Sequence, residues 1–462
     1  MTARSMAMAV ASAALVAAIA TSGDVQAGRA PKNEIAFANA AGVQATVTTA
    51  GSFDMDNPFF RDLGTNGRSC VTCHRPAEAW TVTPQEIRAR FNATAGLDPI
   101  FRTNDGSVCG GSDVSSMGAR RDAYRMLMSK GLIRVGMTVP ANAEFDIIDV
   151  DDPYQCGAPF NETALFRRPL PATNLDKLSA VMWDGRETAA GKSIHDDLMS
   201  QAFGATTGHA QGAPPAVGDL EAIVAFEMSL FTAQTNAQGA GSLTAHGARG
   251  GPLTIAGEPF CIGMNDPLGI LPAVPGACST ASTTFNPDVF TLFGAWQHDG
   301  SPHRRAIARG EQIFNTRRFT IDNVGGLNGN PGDPVSGPIQ GTCSLCHNAP
   351  NAGDHTISLP LDLGIASAAN RTPDLPLYTL QNRTTGETIQ TTDPGRAMVT
   401  GKWSDIGKFK GPTLRALAAR APYFHNGAAA TLEEAVDFYN TRFHMGLSVQ
   451  EKADLVAFLK AL

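Results

Sequence analysis

Two short motifs carry cysteine and histidine at the spacing that covalent attachment of haem requires. The sequence reads CVTCH at 70–74 and CSLCH at 343–347, so both motifs have the form C-x-x-C-H. Positions i, i+3 and i+4 lie on one face of a helical turn, where two thiols can form thioethers with a porphyrin while the imidazole binds its iron. The sequence therefore predicts two covalently attached haem c groups, with His74 and His347 as iron ligands. The predicted haem-binding residues are Cys70, Cys73, His74, Cys343, Cys346 and His347.

Two other kinds of site use a C-x-x-C pair. A zinc site would need further Cys or His ligands at suitable spacing, and a thioredoxin-like dithiol would accompany a βαβ pattern; both features are missing here. The other four cysteines lie between the motifs in segments rich in glycine and proline. Their simplest pairing is Cys109 with Cys156 and Cys261 with Cys278, although four cysteines allow three connectivities.

The first 27 residues have the three-part form of a secretory signal peptide. Arg4 precedes an apolar run from Met6 to about Ala20, and residues 25–27 form a small-x-small cleavage site. A buried N-terminal helix would instead show amphipathic periodicity, which this run lacks. We expect cleavage after Ala27 and export, most simply to a bacterial periplasm, where disulfides are permitted.

Composition excludes several classes of protein. The chain has 462 residues, of which 17% are charged, a formal net charge of −7, 47 Gly and 29 Pro. No run of Lys or Arg supplies the basic surface of a nucleic-acid-binding protein, and no apolar stretch reaches the ~20 residues of a membrane span. These values indicate a loop-rich globular protein with two or three domains.

Helical patterns surround both C-x-x-C-H motifs. Apolar periodicity predicts helices at 304–314, before the second motif, at 217–232, after the first, and at 448–462. The last of these begins with a capping box, as does the helix in TLEEAVDFY at 431–439. A helix, a haem turn, loops and a closing helix therefore occur twice, which predicts a mostly α fold of two cytochrome c-like domains in tandem.

The predicted domain boundaries follow from these patterns. The N-terminal haem domain covers 28–240 and contains a disulfide-bearing insertion at about 95–165. Residues 241–302 form a linker or second insertion, and the C-terminal haem domain covers 303–462. Long loops rich in glycine and proline connect the helices.

Three further strings make the chain resemble the diheme cytochrome c peroxidase and MauG superfamily. They are MWDGR at 182–186, FKGPTLR at 409–415 and APYFHNG at 421–427, and they follow the order of that family. The resemblance covers roughly residues 55–75, 165–235 and 303–462. It implies that peroxide reacts at the first haem, while the second haem passes electrons or oxidising equivalents to and from the first.

The resemblance also bears on the open side of the first haem. Many peroxidases of the family close it with a histidine between the haem motif and WDGR, but no histidine occurs from Arg75 to Ile194. This departure implies a five-coordinate first haem that meets peroxide without reductive activation, as in the MauG type. A methionine such as Met126, Met128 or Met137 as sixth ligand would instead indicate a plain electron carrier.

The acid–base groups of the family follow WDGR as a glutamine and then a glutamate. Gln201 matches the glutamine, no glutamate occupies the second position, and His209 is the nearest titratable side chain. An imidazole can move a proton near neutral pH, so we expect both residues to assist peroxide cleavage. A surface histidine in a Gly/Thr loop is the alternative interpretation of His209.

The resemblance implies roles for two aromatic residues. Trp183 aligns with the tryptophan between the haems, where a ring can relay charge, although its residue type alone would indicate core packing. Tyr439 aligns with the distal ligand of the second haem, which is Met in typical peroxidases and Tyr in the MauG type. His425 is expected to orient this region without binding iron. The rival ligands to Tyr439 are Met445, Met398 and His444.

Calcium, which is often found between the domains of this family, is not expected here. The family threonine that helps to bind it lies two residues before the proline of PYFH, where this chain has Arg420, and a cation there disfavours Ca²⁺. The expected asparagine upstream of WDGR is also not clearly matched in RRPLP at 167–171.

Together these features predict a periplasmic diheme oxidoreductase that reacts with hydrogen peroxide at the N-terminal haem. It would oxidise a small redox protein or a protein substrate through the second haem, and its negative charge, increased by haem propionates, favours a basic docking face. Two other functions are compatible with the sequence: a diheme electron-transfer cytochrome, and an O₂-using relative of the rubber oxygenases.

Overall fold

The structure, a computed structural model, describes residues 32–157, 159, 161–280 and 284–462, so the predicted signal peptide lies outside the described residues. None of the helices in these ranges is long and apolar enough to cross a membrane. The helices are α1 Pro84–Thr94, α2 Met117–Ala123, α3 Arg125–Lys130, α4 Ile194–Gly204, α5 Val217–Met228, α6 Pro252–Gly257, α7 Pro302–Thr316, α8 Ala397–Thr400, α9 Leu432–Arg442 and α10 Val449–Lys460. The strands are β1 Glu34–Asn39, β2 Gly42–Thr48, β3 Ile133–Thr138, β4 Phe145–Asp151, β5 Glu162–Arg167, β6 Leu230–Ala237, β7 Gly241–Ser242, β8 Phe319–Ile321, β9 Ile339–Gly341, β10 Leu377–Asn382 and β11 Thr388–Thr391.

The N-terminal half is built on a four-stranded antiparallel sheet with the strand order β1-β2-β6-β7. Helix α5 forms where its apolar periodicity predicts, but it ends at Met228, and the last residues of the predicted helix belong to β6. Phe226 of α5 contacts Phe59 and Trp80 at ring-centroid distances of 5.3 and 5.7 Å. These rings form the core that supports the first C-x-x-C-H motif.

The insertion at about 95–165 is folded and contacts both halves of the chain. Strand β3 pairs with β5, whereas β4 pairs antiparallel with β10 of the C-terminal half. The Cys109–Cys156 disulfide closes a 47-residue separation within this region, and Cys261–Cys278 closes a 17-residue one. Both predicted pairings are confirmed.

In the C-terminal half, α7 packs closely against α10. Gly310 makes this approach possible, because a Cβ at that position would lie 2.0 Å from the carbonyl O of Asp454 and 2.6 Å from Phe458 Cβ. Phe314, one turn further along α7, contacts Phe458 and also the His347 ring, at centroid distances of 5.7 and 6.1 Å. The helix pair thereby supports the second C-x-x-C-H motif.

The prediction of a mostly α chain is not borne out, since helix accounts for 31% and strand for 17%. Thr431 and Ser448 each accept a hydrogen bond from the backbone N–H three residues on. The full capping box predicted at both positions forms at Ser448, whereas the Glu434 carboxylate accepts from the N–H of Ala430 and not from that of Thr431. The unpredicted strands are short, and β4 illustrates why they were missed. It reads FDIIDVD and pairs with β10, more than 200 residues away in sequence, so its stability comes from a partner that no local pattern reveals.

Candidate haem sites

The first C-x-x-C-H motif forms a single turn whose imidazole faces a cavity. Residues Cys70–Thr72 form a 3-10 turn, and the backbone N–H groups of Cys73 and His74 donate to Cys70 O at 3.1 and 3.0 Å. His74 Nδ1 donates to Trp80 O at 3.0 Å, because a carbonyl can only accept. Burial lowers the pKa of His74. The neutral ring therefore carries its lone pair on Nε2, which is the form that binds a metal.

The second motif repeats this arrangement. The backbone N–H of His347 donates to Cys343 O at 3.1 Å, and His347 Nδ1 donates to Gly353 O at 2.6 Å. None of the four motif cysteines takes part in a disulfide. Burial raises the pKa of Cys343 and of Cys346 to about 12. Both motifs thus present two thiols and one imidazole nitrogen on the same side of a turn.

The first cavity, lined by Cys70, Cys73 and His74, has about 1600 Å³ of empty space measured out to its mouth. Its wall contains Arg415, which is 1% exposed and whose Nε, Nη1 and Nη2 all lack hydrogen-bond partners. A buried guanidinium without an acceptor is strongly unfavourable, so the wall requires an anionic group. A haem propionate meets that requirement, and the residues present therefore fit haem c. Other polar side chains of this wall include Arg68, Asp105, Gln201, His209 and Glu227.

The second cavity, lined by Cys343, Cys346 and His347, has about 1580 Å³ of empty space. Its walls are largely apolar and lie between α7, α9 and α10. The Nε2 atoms of His355 and His425 lack hydrogen-bond partners, and burial lowers the pKa of both rings to about 4. The apolar lining includes Phe314, Val324, Leu359, Leu361, Phe409, Val436, Phe443 and Leu455.

The structure places Gln201 and His209 together in the first cavity, on α4 and on the π-helical turn Ala205–His209 that follows it. His209 Nδ1 lies 2.6 Å from Asp105 Oδ2. Arg68 in turn contacts both oxygens of Asp105, at 2.6 and 2.8 Å. Sequence reasoning missed Asp105 and Arg68, because nothing in their spacing connects them with His209.

Trp183 lines both cavities. Its indole Nε1 donates to Arg168 O at 2.8 Å, and its carbonyl O accepts from the backbone N–H of Lys410 at 2.9 Å. Its ring centroid lies 6.3 Å from that of His425, which stacks on Phe409 at 3.9 Å. The three rings form a continuous aromatic series beginning at the wall that the two cavities share.

A buried ion-pair network holds the WDGR turn in place. Asp184 pairs with Arg167, and Arg167 makes two further bonds of 2.7 and 2.9 Å to Asp393 in the C-terminal half. Arg396 Nη1 donates to the carbonyls of Asp184 and Gly185, both at 3.0 Å. Burial would raise the pKa of Asp184, but the positive charges of Arg167 and Arg186 lower it, so the carboxylate stays ionised.

The methionines considered for the first iron lie elsewhere. Met126 and Met128 are packed in the cores around α3, and Met137 lies on β3 against the core of β4 and β10. Among the described residues, Met182 is the methionine that lines the first cavity. A methionine as the sixth ligand of the first haem would therefore have to be Met182.

The structure separates the rival ligands of the second cavity. Tyr439 and Met445 both line it, with Tyr439 on α9 and Met445 after the end of that helix. Met398 belongs to a different core, and His444 is exposed. Burial raises the pKa of Tyr439. Tyr439 and Met445 thus remain as candidates beside His347.

At the positions where the resemblance implies calcium, the guanidinium of Arg168 donates hydrogen bonds to backbone carbonyls. Arg168 donates to Val82 O at 2.7 Å, to Lys130 O at 3.0 Å and to Arg420 O at 3.1 Å. Burial lowers the pKa of Arg168 to about 10, so it remains a cation at neutral pH. The expectation against calcium stays a prediction.

No protein-family model matches the chain. Cytochrome-c peroxidase IdrP2 of Denitromonas iodatirespirans is 36% identical over 133 residues, which cover 27% of this chain and 36% of that protein. Cytochrome-c peroxidase IdrP1 of Pseudomonas sp. (strain SCT) is 36% identical over 140 residues, covering 26% and 36%. Cytochrome c551 peroxidase of Nitrosomonas europaea is 45% identical over 69 residues, covering 15% and 21%.

The matched segments thus span about a third or less of the length of these relatives. A crystal structure of a MauG-like protein associated with microbial copper homeostasis aligns with 95% of both chains at 15% identity and a TM-score of 0.39. The cytochrome c peroxidase relatives imply haem c. Over the matched segments and in its two C-x-x-C-H motifs, the chain is therefore similar to cytochrome c peroxidases.

Proposed function

We propose that the mature chain is a periplasmic diheme peroxidase that reduces hydrogen peroxide in the first cavity and oxidises a partner through the second. The observation that carries this proposal is the arrangement of the two cavities. A C-x-x-C-H turn forms part of the wall of each cavity, and Trp183 lines both. Gln201 and His209 line the first cavity and not the second. The two haems would be held by Cys70, Cys73, His74, Cys343, Cys346 and His347.

When bound, haem iron supplies the exchange of electrons with peroxide. Reduction of H₂O₂ to two water molecules consumes two electrons and two protons, and the protons need a route that the protein provides. His209, whose Nδ1 is committed to Asp105, can accept a proton from peroxide at Nε2 and return it to the departing oxygen. The Gln201 amide can donate a hydrogen bond to the same substrate.

The electrons are proposed to come from a small redox protein or from an oxidisable side chain of a protein substrate. Trp183 lies where it can carry charge between the cavities, since it borders both and its ring is next to that of His425. Tyr439 is proposed as the distal ligand of the second haem. Its phenol oxygen would stabilise oxidised iron more than the thioether of Met445 would.

The organisation of the chain is part of the proposal. Residues 28–240 would form the peroxide-reactive domain, with the folded insertion at 95–165, and residues 303–462 the electron-transfer domain. The pairing of β4 with β10 and the Arg167–Asp393 bonds would hold the two domains together. Export to the periplasm through residues 1–27 would supply the oxidising compartment that the two disulfides need.

Optical and EPR spectra of the purified holoprotein test the proposal. We expect two haems per chain, one high-spin and open to peroxide and one low-spin. Stoichiometric peroxide should react without prior reduction, and a reduced small cytochrome should then be oxidised. Two low-spin haems that do not react with peroxide would support the non-catalytic electron carrier. Retention of the low-spin first-haem spectrum in Met182→Leu would then exclude Met182 as its sixth ligand.

A further inference from the structure

We infer that Asp105, carried by the insertion at 95–165, is a positioning residue that holds the His209 ring in the form and orientation required for proton transfer in the first cavity. The inference rests on the proposed function and extends it to a residue outside the segments that resemble the family. It also explains how His209, the nearest titratable side chain, could take over the role of the family glutamate.

The Asp105–His209 contact determines which ring nitrogen faces the cavity. His209 Nδ1 lies 2.6 Å from Asp105 Oδ2, and a carboxylate can only accept a hydrogen bond. The proton therefore sits on Nδ1, which leaves Nε2 of the neutral ring as a base. A buried carboxylate in this position also stabilises the cationic ring that forms once Nε2 has taken a proton.

Arg68 keeps the carboxylate in place and charged. Its Nη1 contacts both oxygens of Asp105, its Nη2 donates to Ile100 O at 2.7 Å, and its Nε donates to Pro99 O at 2.8 Å. Burial tends to raise the pKa of Asp105, but the hydrogen bond from His209 and the positive charge of Arg68 lower it below its usual range. Asp105 is thus an ionised, almost fully buried acceptor.

The main chain of His209 is held as well as its ring. Its carbonyl O accepts from Asn66 Nδ2 at 2.8 Å, from Arg68 Nη1 at 3.1 Å and from Asn104 Nδ2 at 3.3 Å. The His209 side chain is 38% exposed, yet its carbonyl has three donors and its ring has a buried carboxylate partner. The contacts therefore favour a positioned side chain over the surface interpretation.

The loop that carries Asp105 is itself braced by Arg134 of β3. The Arg134 guanidinium donates to the carbonyls of Thr103 and Asn104, both at 2.9 Å, and its backbone N–H donates to Asp105 O at 2.7 Å. The Cys109–Cys156 disulfide lies four residues further along. The insertion thereby contributes a wall of the first cavity.

Kinetics of the holoprotein with hydrogen peroxide test the inference through a double-mutant cycle. We expect Asp105→Asn to lower the second-order rate constant by about 10- to 100-fold, a part of the 10²–10⁴-fold that general acid–base catalysis contributes. In a His209→Gln background the same substitution should have little further effect. The matched control is Asp113→Asn, an exposed aspartate of the same insertion, which should react like the wild type. Equal slowing by Asp105→Asn in both backgrounds would overturn the inference.

A second readout is independent of turnover. Binding of cyanide to the ferric protein requires removal of a proton from HCN, so its association rate should fall in Asp105→Asn and His209→Gln to a similar extent. If Asp105→Asn does not fold, Asp105→Glu serves in its place because it retains the charge beside Arg68. The longer side chain should displace the His209 ring and so should also slow cyanide binding. Unchanged cyanide rates would overturn the inference. A wild type that ignores peroxide but shows Asp105-dependent cyanide binding would refute the proposed function alone.

Discussion

The first and second cavities begin from the same local structure and differ in their walls. In both, the motif histidine gives its Nδ1 hydrogen to a backbone carbonyl six residues on and keeps Nε2 free. The first cavity adds to its apolar lining a group of polar and charged side chains, including ones from α4, α5 and the insertion, whereas leucine, valine and phenylalanine dominate the lining of the second. The same C-x-x-C-H motif thus occurs in two different environments. Elements far from the motif in sequence determine which side chains surround it.

The difference in lining has a chemical consequence. Peroxide reduction needs protons delivered to oxygen, so it requires titratable groups such as His209 held at a defined position. The electron storage proposed for the second cavity needs no proton transfer, and its largely apolar wall around Tyr439 and Met445 would exclude water and disfavour side reactions.

The largest effect is expected when the two cavity histidines are exchanged for glutamine one at a time. His209→Gln should lower the rate constant for peroxide by about 10²–10⁴-fold, because it removes the base of the first cavity. His425→Gln should leave that rate within a factor of about two, because its Nε2 faces the second cavity alone. Stopped-flow spectroscopy measures both, with the exposed His195→Gln as control. An equal loss of rate in His209→Gln and His425→Gln would contradict a difference in function between the two cavities.

Arg415→Met should destabilise the holoprotein by about 3–5 kcal/mol, because it would leave a haem propionate buried without its partner. The free energy of unfolding in urea measures the change. The control, Arg249→Met, removes an exposed arginine and should cost about 0–1 kcal/mol. An increase in stability in Arg415→Met would contradict the pairing of Arg415 with a haem propionate. It would mean that the guanidinium has no anionic partner in the first cavity.

The two disulfides should have similar effects on stability and different effects on the cavities. Loop-closure entropy predicts a loss of about 4 kcal/mol for Cys109→Ser/Cys156→Ser and about 3 kcal/mol for Cys261→Ser/Cys278→Ser, from separations of 47 and 17 residues. Only the first pair lies in the insertion that carries Asp105, so only its removal should also slow cyanide binding. Slower cyanide binding in the second variant would show that the effect reflects general destabilisation.

The smallest effect concerns a buried carboxyl of the first cavity. Burial raises the pKa of Glu227 from its ordinary value of 4.5 to about 8. The folded state therefore holds the proton that the unfolded state releases, and stability should fall as pH rises from about 4.5 to about 8. Between pH 5 and pH 7 we expect Glu227 to contribute a loss of about 2 kcal/mol. Urea unfolding at the two pH values should show a smaller difference in Glu227→Gln, and the exposed Glu221→Gln should behave like the wild type.

Features with a short sequence range were predicted well. The turns at 70–74 and 343–347, the caps at Thr431 and Ser448, and both disulfide pairings follow from residues close in sequence or from the simplest local pairing. The strand content was underestimated, because β4 and β10 are stable only as a pair. Helix α5 was extended too far, because the apolar residues after Met228 serve equally well in a buried strand.

Some residues of the candidate site were also predicted from the sequence, and others were not. Family position pointed to Gln201, Trp183 and Tyr439, and His209 was the nearest titratable side chain to an unmatched position. All four side chains line the cavities beside the two motifs. Their roles stay predictions until the variants are measured. Asp105 and Arg68 could not have been identified from the sequence, since neither belongs to a motif. Arg415 ends the FKGPTLR string, but nothing in that string shows that its guanidinium lines the first cavity.

By itself the sequence determined where haem can be attached, because thioether and imidazole spacing is a property of one turn and is the same in any fold. It also determined which four cysteines are left for disulfides. Only the tertiary structure decided that one attachment site has more charged side chains in its wall than the other, and that Asp105 meets His209 across 104 residues. These contacts depend on how the insertion, α4 and α9 pack, and packing energies are summed over the whole chain.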